Sequence, residues 1–456
     1  MGLSSVRREV WRARAADWWG GAWRWVLLAI GLALGVYLLL DRGVANGVLT
    51  AAALGVLVIG AAVTGRVPMA IPLMAVPALF IAQRVGLGGT DLSVSDVALA
   101  AAFGTALLLG KRPYSPTMRS LLWLNLVYQF ATLFTVIVNP YTANTVEWFH
   151  AWLLVSGALV VGWALGRAGY ARLALMLMLA SGAVIAVSTV LAGVVAYAQG
   201  DFGPVFPEWP FPMHKNAAGT FLVFVALIAF VHPEWAQLPH DWTRLVFWLS
   251  IVALAMTQSR QAIISLVMVL IVLGLRRGAP RRHRALVLLA IPAIWLVVST
   301  ILEQIDSQNQ HNSYFQRLDW IREVYAFWKH APIFGHGLRY WYTDVSANFQ
   351  PPQAELEVVA SAGLVGLAGF LVMIVGMLVV LWRVDPAFGI LAFAVVLSRV
   401  VQAQFDLFWV AGAVSVPFVI AGVCVGAMAR SADARDDEAA MITRPDRSRQ
   451  RLRGLA

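Results

Sequence analysis

Apolar residues run along this chain in long, unbroken blocks, without the period of two that marks a half-buried strand or the 3.6 that marks an amphipathic surface helix. The blocks fall at 22–40, 44–64, 67–83, 94–110, 119–138, 145–166, 171–196, 217–231, 243–258, 260–275, 284–302, 354–382, 387–401 and 408–428. Many are close to the roughly 20 residues a helix needs to cross a bilayer. In lipid a backbone must pair its own N–H and C=O groups, so these blocks are predicted helices. Pro68, Pro72 and Pro77 predict a bend in the third. The pattern is that of an all-α, polytopic membrane protein with about 12–14 transmembrane helices. One long segment breaks it, the polar, aromatic-rich stretch 303–353, predicted to be an extracytoplasmic loop. Inside it Tyr314, Leu318, Ile321, Tyr325 and Trp328 recur at helical spacing.

The same pattern divides the chain. Residues 1–21 read as a cytoplasmic amphipathic segment, whose tryptophans Trp11, Trp18 and Trp19 suit the headgroup region. Transmembrane regions at 22–302 and 354–428 flank the 303–353 extracytoplasmic loop, the expected seat of the protein's chemistry, and 429–456 reads as a disordered cytoplasmic tail. The N-terminal arginines precede an apolar run with no small-x-small cleavage site after it, so the run is read as a retained first span. No internal repeat or second domain is visible.

Composition agrees with a lipid solvent. Hydrophobic residues make up 60% and charged residues 13% of the chain, with mean hydropathy +0.73, against about 25% charged in a soluble domain. Cys424 is the single cysteine, which excludes an internal disulfide and a cysteine-based metal site. The net charge of +10 points to membrane insertion and not to nucleic acid, because of where the basic residues fall. With the N-terminus in the cytoplasm, about 25 of the 34 lysines and arginines lie inside, the asymmetry expected of inserted helices. They include Arg66, Lys111, Arg112, Arg167, Arg244, the Arg276–Arg284 cluster, Arg383 and the basic tail. This places the 303–353 loop outside, with the shorter loop 199–216.

Five polar segments then share the outer face: Met213-His-Lys-Asn216, Thr257-Gln-Ser-Arg260, Arg317-Leu-Asp-Trp-Ile-Arg322, Pro332-Ile-Phe-Gly-His-Gly337, and Gln353-Ala-Glu-Leu-Glu357 leading into Gly363-Leu-Val-Gly366. Cations kept on the side that insertion disfavours point to an anion, and the planar fork of arginine suits a diphosphate. Plainer readings stand beside this one. Arg260 could snorkel to headgroups, Arg317 and Arg322 could flank a solvated helix face, and loop histidines such as His336 are commonly surface residues. Asp91 and Asp96 open a span, where a capping role is favoured over a metal site. Arg399, Gln402 and Asp406 share a helix face, as a structural or a functional polar network.

Taken together, these segments resemble the O-antigen ligase and polymerase superfamily of bacterial membrane glycosyltransferases. The likeness rests on Asn216-Ala-Ala-Gly219, Ser259-Arg260, Arg317 shortly before a tryptophan, the PxxGxG of Pro332–Gly337, and Leu356 through Gly366. It covers about 205–385. The resemblance implies metal-independent transfer of a glycan from a polyprenyl diphosphate carrier to a glycolipid or saccharide acceptor. The site would be on the outer face of the cytoplasmic membrane, with no cofactor and no nucleic acid partner. It implies that Arg260 and Arg317 hold the diphosphate, with Lys215, Asn216 and Arg322 as further donor-side candidates. Ligases of this family carry a His shortly before the GxxG; here Pro352-Gln353 stand there. Gln353 is then an acceptor-orienting candidate, and Glu355, Glu357 or His336 would have to act as base, with Glu355 and His336 favoured. A polymerase of the same superfamily and a transporter or flippase of lipid-linked anions are the alternatives. A transporter is expected to place its polar residues near the bilayer midplane.

Overall fold

The computed structural model of the chain describes residues 67–87, 90–276, 299, 313–342 and 350–443. The expected spans at 22–40, 44–64 and most of 284–302, and the N-terminal segment, lie outside the described residues. Two compact units divide the chain, Met1–Ile71 and Pro72–Ala456, and all that follows concerns the second.

The architecture is all-α. In chain order the helices are α1 (Ala70–Ala78), α2 (Val94–Leu109), α3 (Pro116–Val138), α4 (Thr142–Ala168), α5 (Ala171–Ala198), α6 (Lys215–Val231), α7 (His240–Thr257), α8 (Arg260–Leu275), α9 (Ser313–Trp328), α10 (Ala354–Arg383), α11 (Pro386–Gln402) and α12 (Ala411–Thr443). Five described helices, α3, α4, α5, α10 and the Ala411–Asp436 part of α12, are long and apolar enough to cross a membrane; α2, α6, α8 and α11 are shorter apolar helices.

Local sequence sets the boundaries. Ser93 caps α2 in a reciprocal capping box with Asp96, and Ser115 and Asp385 cap α3 and α11 ahead of Pro116 and Pro386. The capping role expected at Asp96 is therefore present. Two expectations shift. The span expected at 67–83 holds only the nine-residue α1, with Pro77 inside it. It is followed by a two-stranded antiparallel hairpin, Arg84–Leu87 with Thr90–Ser93. The last helix also runs on to Thr443, past the boundary expected at 428. Alanines, Arg430, Arg435 and Glu438, all of high helix propensity, continue it, and Arg167 of α4 pairs with Asp433.

Close backbone approach holds the centre together. A Cβ added at Gly162 or Gly166 of α4 would lie 2.0 Å from Val419 O or 2.3 Å from Val423 O, and one at Gly422 or Gly426 of α12 would meet Leu159 O or Trp163 O at 2.3 or 2.5 Å. Each helix thus carries small residues four apart at the crossing, where lipid gives no hydrophobic drive and van der Waals contact must supply the association. Helix α6 is buried on every side from Ala218 to Ala229. The basic residues assigned to the cytoplasmic side gather at one end: Arg167 donates to Ala429 O (3.2 Å), and Arg276 lies over the Trp382 ring (4.5 Å). The polar ends of α2, α4, α6, α10 and α12 meet at the other end.

Candidate active site

The PxxGxG segment is a backbone patch on a broken helix. Gly363, in the middle of α10, has φ 66° and ψ −166°, a region open in practice only to glycine. The break deprives Leu364 N and Val365 N, and the carbonyls of Ala360 and Ser361, of their partners one turn away. The loop replaces all four. Leu364 N donates to Pro332 O (2.9 Å) and Val365 N to Ile333 O (3.1 Å), while Ala360 O accepts from His336 N (3.2 Å) and Ser361 O from Gly337 N (2.9 Å). A backbone in lipid cannot leave such groups unpaired. The fit needs glycine on both sides: a Cβ on Gly335 would lie 2.3 Å from Ser361 O, and one on Gly363 would lie 2.3 Å from Ile333 O.

The α3–α4 turn clamps the same segment. Asn139 Nδ2 donates to Gly335 O (3.2 Å), and Leu338 N donates to Asn144 Oδ1 (2.8 Å). This fixes the next residue, Arg339, whose Nε lies 3.5 Å from Glu147 Oε2. From Glu147 a charged chain continues inward. His150 Nδ1 is 3.2 Å from Glu147 Oε1, and its Nε2 is 3.0 Å from Asp96 Oδ1. Both contacts need a hydrogen on the ring nitrogen, so the geometry calls for the doubly protonated imidazole. Asp96 Oδ2 accepts from Ser93 N and Ser93 Oγ, both at 2.8 Å.

These residues wall a cavity of ≈ 210 Å³ at the polar end of the bundle. Arg84, Asp96, Glu147 and Arg339 line it with His214 and Asn216 from the start of α6, and Arg399 and Asp406 from the end of α11 and beyond. Arg399 is 2% exposed; its guanidinium donates to the carbonyls of Leu407 and Phe408, and its Nε has no partner among the described residues. Asp406 accepts from Gln261 Nε2 (2.7 Å) and from Leu407 N (2.9 Å). A second cavity of ≈ 30 Å³, lined by Tyr128, Glu357 and Ser361 among others, shares Glu147, Arg339, Gln350 and Trp409 with the first.

Of the residues singled out in the sequence, Asn216 lines the larger cavity. Its Oδ1 accepts from Ser259 Oγ (3.2 Å), which ties the start of α6 to the start of α8. Lys215 and Arg260 are the first residues of those two helices. Lys215 stands ahead of the apolar run 217–231, and burial and then the nearby Arg260 charge hold its pKa below that of an ordinary lysine. Two helix N-termini and two cations thus meet beside the cavity. Arg317 falls on α9, and its side chain lies outside the described residues. The Arg322 side chain is 79% exposed and, among the described residues, pairs with Asp319, one turn away and 60% exposed. Gln353 Nε2 donates to Glu355 Oε2 (3.2 Å), and Gln404 Nε2 donates to Glu355 Oε1 (2.8 Å). His336 Nε2 bonds Phe327 O (2.9 Å), and its ring packs against Tyr340 with centroids 5.0 Å apart. Neither Glu355 nor His336 lines either cavity.

Sequence reasoning passed over Arg339, Glu147 and His150. Arg339 lies two residues past the GxG, and Glu147 and His150 stand three apart in the first turns of a span. An ionisable pair at that depth is the signal that could have found them.

A search of curated proteins returned no match. A family model does match: residues 245–371 fit the one described as O-antigen ligase. That span contains Arg260, Arg317, the PxxGxG segment and the break at Gly363. Residues 245–371 are thus similar to the O-antigen ligase family, the superfamily that the sequence motifs also resemble.

Proposed function

We propose that this chain transfers a glycan from a polyprenyl diphosphate donor to a saccharide or glycolipid acceptor at the outer face of the cytoplasmic membrane. The observation that carries the reading is the meeting of Lys215 and Arg260, at two helix N-termini, beside a charged cavity among membrane helices. Like charges held together are stabilised by an anion between them, and helix N-termini add to the same field. A diphosphate there would be held by Arg260, Lys215 and Arg317, and the charge it gains as the glycosidic bond breaks would be stabilised in place. Asn216, bonded to Ser259, sets the donor's first sugar at the cavity wall. The one-ended position of the cavity favours a transferase over a transporter, whose site belongs near the midplane.

The test is purified protein in lipid nanodiscs with a polyprenyl diphosphate-linked glycan and candidate acceptors. Glycan on the acceptor, with one polyprenyl diphosphate released per transfer, is expected. Arg260→Lys should lose about 100-fold, because one ammonium replaces a two-pronged donor. A donor left unconsumed with every acceptor, or moved intact across the membrane, would overturn the reading.

A further inference from the structure

We propose that Glu357 is the proton acceptor for the incoming hydroxyl, the role that a histidine before the GxxG would otherwise fill. The inference rests on the transferase reading above. Five other carboxylates or bases near the loop and cavities are already engaged. Glu355 is held by Gln353 and Gln404, and His336 by Phe327 O. Glu147 is divided between His150 and Arg339, and Asp96 between His150 and Ser93. Asp406 accepts from Gln261 and from its own neighbour Leu407, and it is the carboxylate whose charge bears most on Arg399.

Glu357 differs from these in combining neutral partners, which Glu355 and Asp406 also have, with a place on the wall of the smaller cavity, which those two lack. It is 5% exposed and lies one turn into α10. Its partners are neutral: Gln350 Nε2 donates to Oε1 (2.8 Å) and Phe408 N to Oε2 (3.3 Å). Each carboxylate oxygen has a second lone pair. The carboxylate faces the cavity of ≈ 30 Å³, room for one water or one hydroxyl. That cavity shares four lining residues with the larger one, which has room for the ring that bears the hydroxyl. Arg339, fixed by the PxxGxG patch, stands where the two meet.

The step balances. The acceptor hydroxyl gives its proton to Glu357, and its oxygen forms the new bond to the anomeric carbon. The bond from that carbon to the diphosphate oxygen breaks, and its electron pair leaves on the polyprenyl diphosphate held by Lys215 and Arg260.

Azide separates a base from a structural residue, because it is an anion and needs no deprotonation. The experiment measures transfer from a polyprenyl diphosphate-linked glycan to a hydroxyl acceptor and to azide, in wild type, Glu357→Gln and Glu357→Ala. Glu357→Gln keeps the packing: Gln350 Oε1 has no partner among the described residues, so that amide can flip and accept from the new side-chain amide. Hydroxyl transfer should fall at least about 100-fold in both variants, while glycosyl azide forms within about threefold of the wild-type rate. Glu357→Asp should recover part of the hydroxyl transfer. Hydroxyl transfer that survives in Glu357→Gln, or that falls together with azide transfer, would overturn the assignment. Wild-type protein that consumes the donor with neither acceptor would instead overturn the transferase reading beneath it.

Discussion

Burial and the charge of Arg260 both weaken the hold of Lys215 on its proton. Free enzyme therefore loses this cation at a lower pH than an ordinary lysine would. Below that pH the ammonium is present and assists diphosphate capture; above it the site keeps one cation fewer. The expected outcome is a kcat/KM for donor that declines on the alkaline side, since kcat/KM reports the free enzyme. Lys215→Arg should move that decline to higher pH, because a guanidinium stays charged. An unchanged profile in Lys215→Arg would remove Lys215 from the donor site. Single residues were legible in the sequence where topology made them costly: Lys215 and Arg260 stood out as cations on the disfavoured side. Glu147, His150 and Asp96 did not, because they lie up to 54 positions apart and each alone reads as a cap or a polar helix turn. Asp96 shows why: one oxygen does the capping and the other meets His150.

At the scale of elements, the joint between the PxxGxG segment and α10 holds the loop in place. Gly363→Ala would force an alanine into positive φ and push its Cβ to 2.3 Å from Ile333 O. The strain and the loss of loop-to-helix hydrogen bonds should cost about 3 kcal/mol or more. The measurement is thermal unfolding in detergent, where Gly363→Ala should melt well below wild type. Gly104, inside α2, is the control, since among the described residues nothing outside its own helix backbone lies within 4 Å of its added Cβ; Gly104→Ala should be neutral or slightly stabilising. Equal melting of the two variants would contradict the docking account. The glycines were visible in the sequence as a pattern, and α9 as a helical period. That the two glycine motifs face each other was not, because the pairing is made between backbones far apart in sequence, as in His336 N with Ala360 O and Leu364 N with Pro332 O, and backbone pairing leaves no side-chain signature.

At the scale of the whole molecule, blocks of apolar sequence foretold an all-α membrane protein because lipid allows few alternatives. They could not foretell the Gly162/Gly166 crossing with Gly422/Gly426, since helix partners far apart in sequence are chosen by shape. The hairpin after α1 was also missed: its strands of four residues fall between two expected spans and carry too short a pattern to mark them as strands. Orientation in the bilayer is a prediction: the end bearing the cavities faces outward, and Arg167, Arg276 and Arg383 face the cytoplasm. Ser346→Cys should react with a membrane-impermeant thiol reagent added outside intact cells. The native Cys424 should stay silent, since it is fully buried in α12. Labelling of position 346 from the cytoplasmic side alone would invert the topology. The most direct test of the central claim is an experimental structure with a non-cleavable polyprenyl diphosphate-linked glycan bound. The account predicts the diphosphate between Lys215 and Arg260, and the first sugar in the cavity walled by Asn216, Glu147 and Arg339. A diphosphate bound at the Arg167–Arg276 end, or near the bilayer midplane away from Arg260, would contradict it.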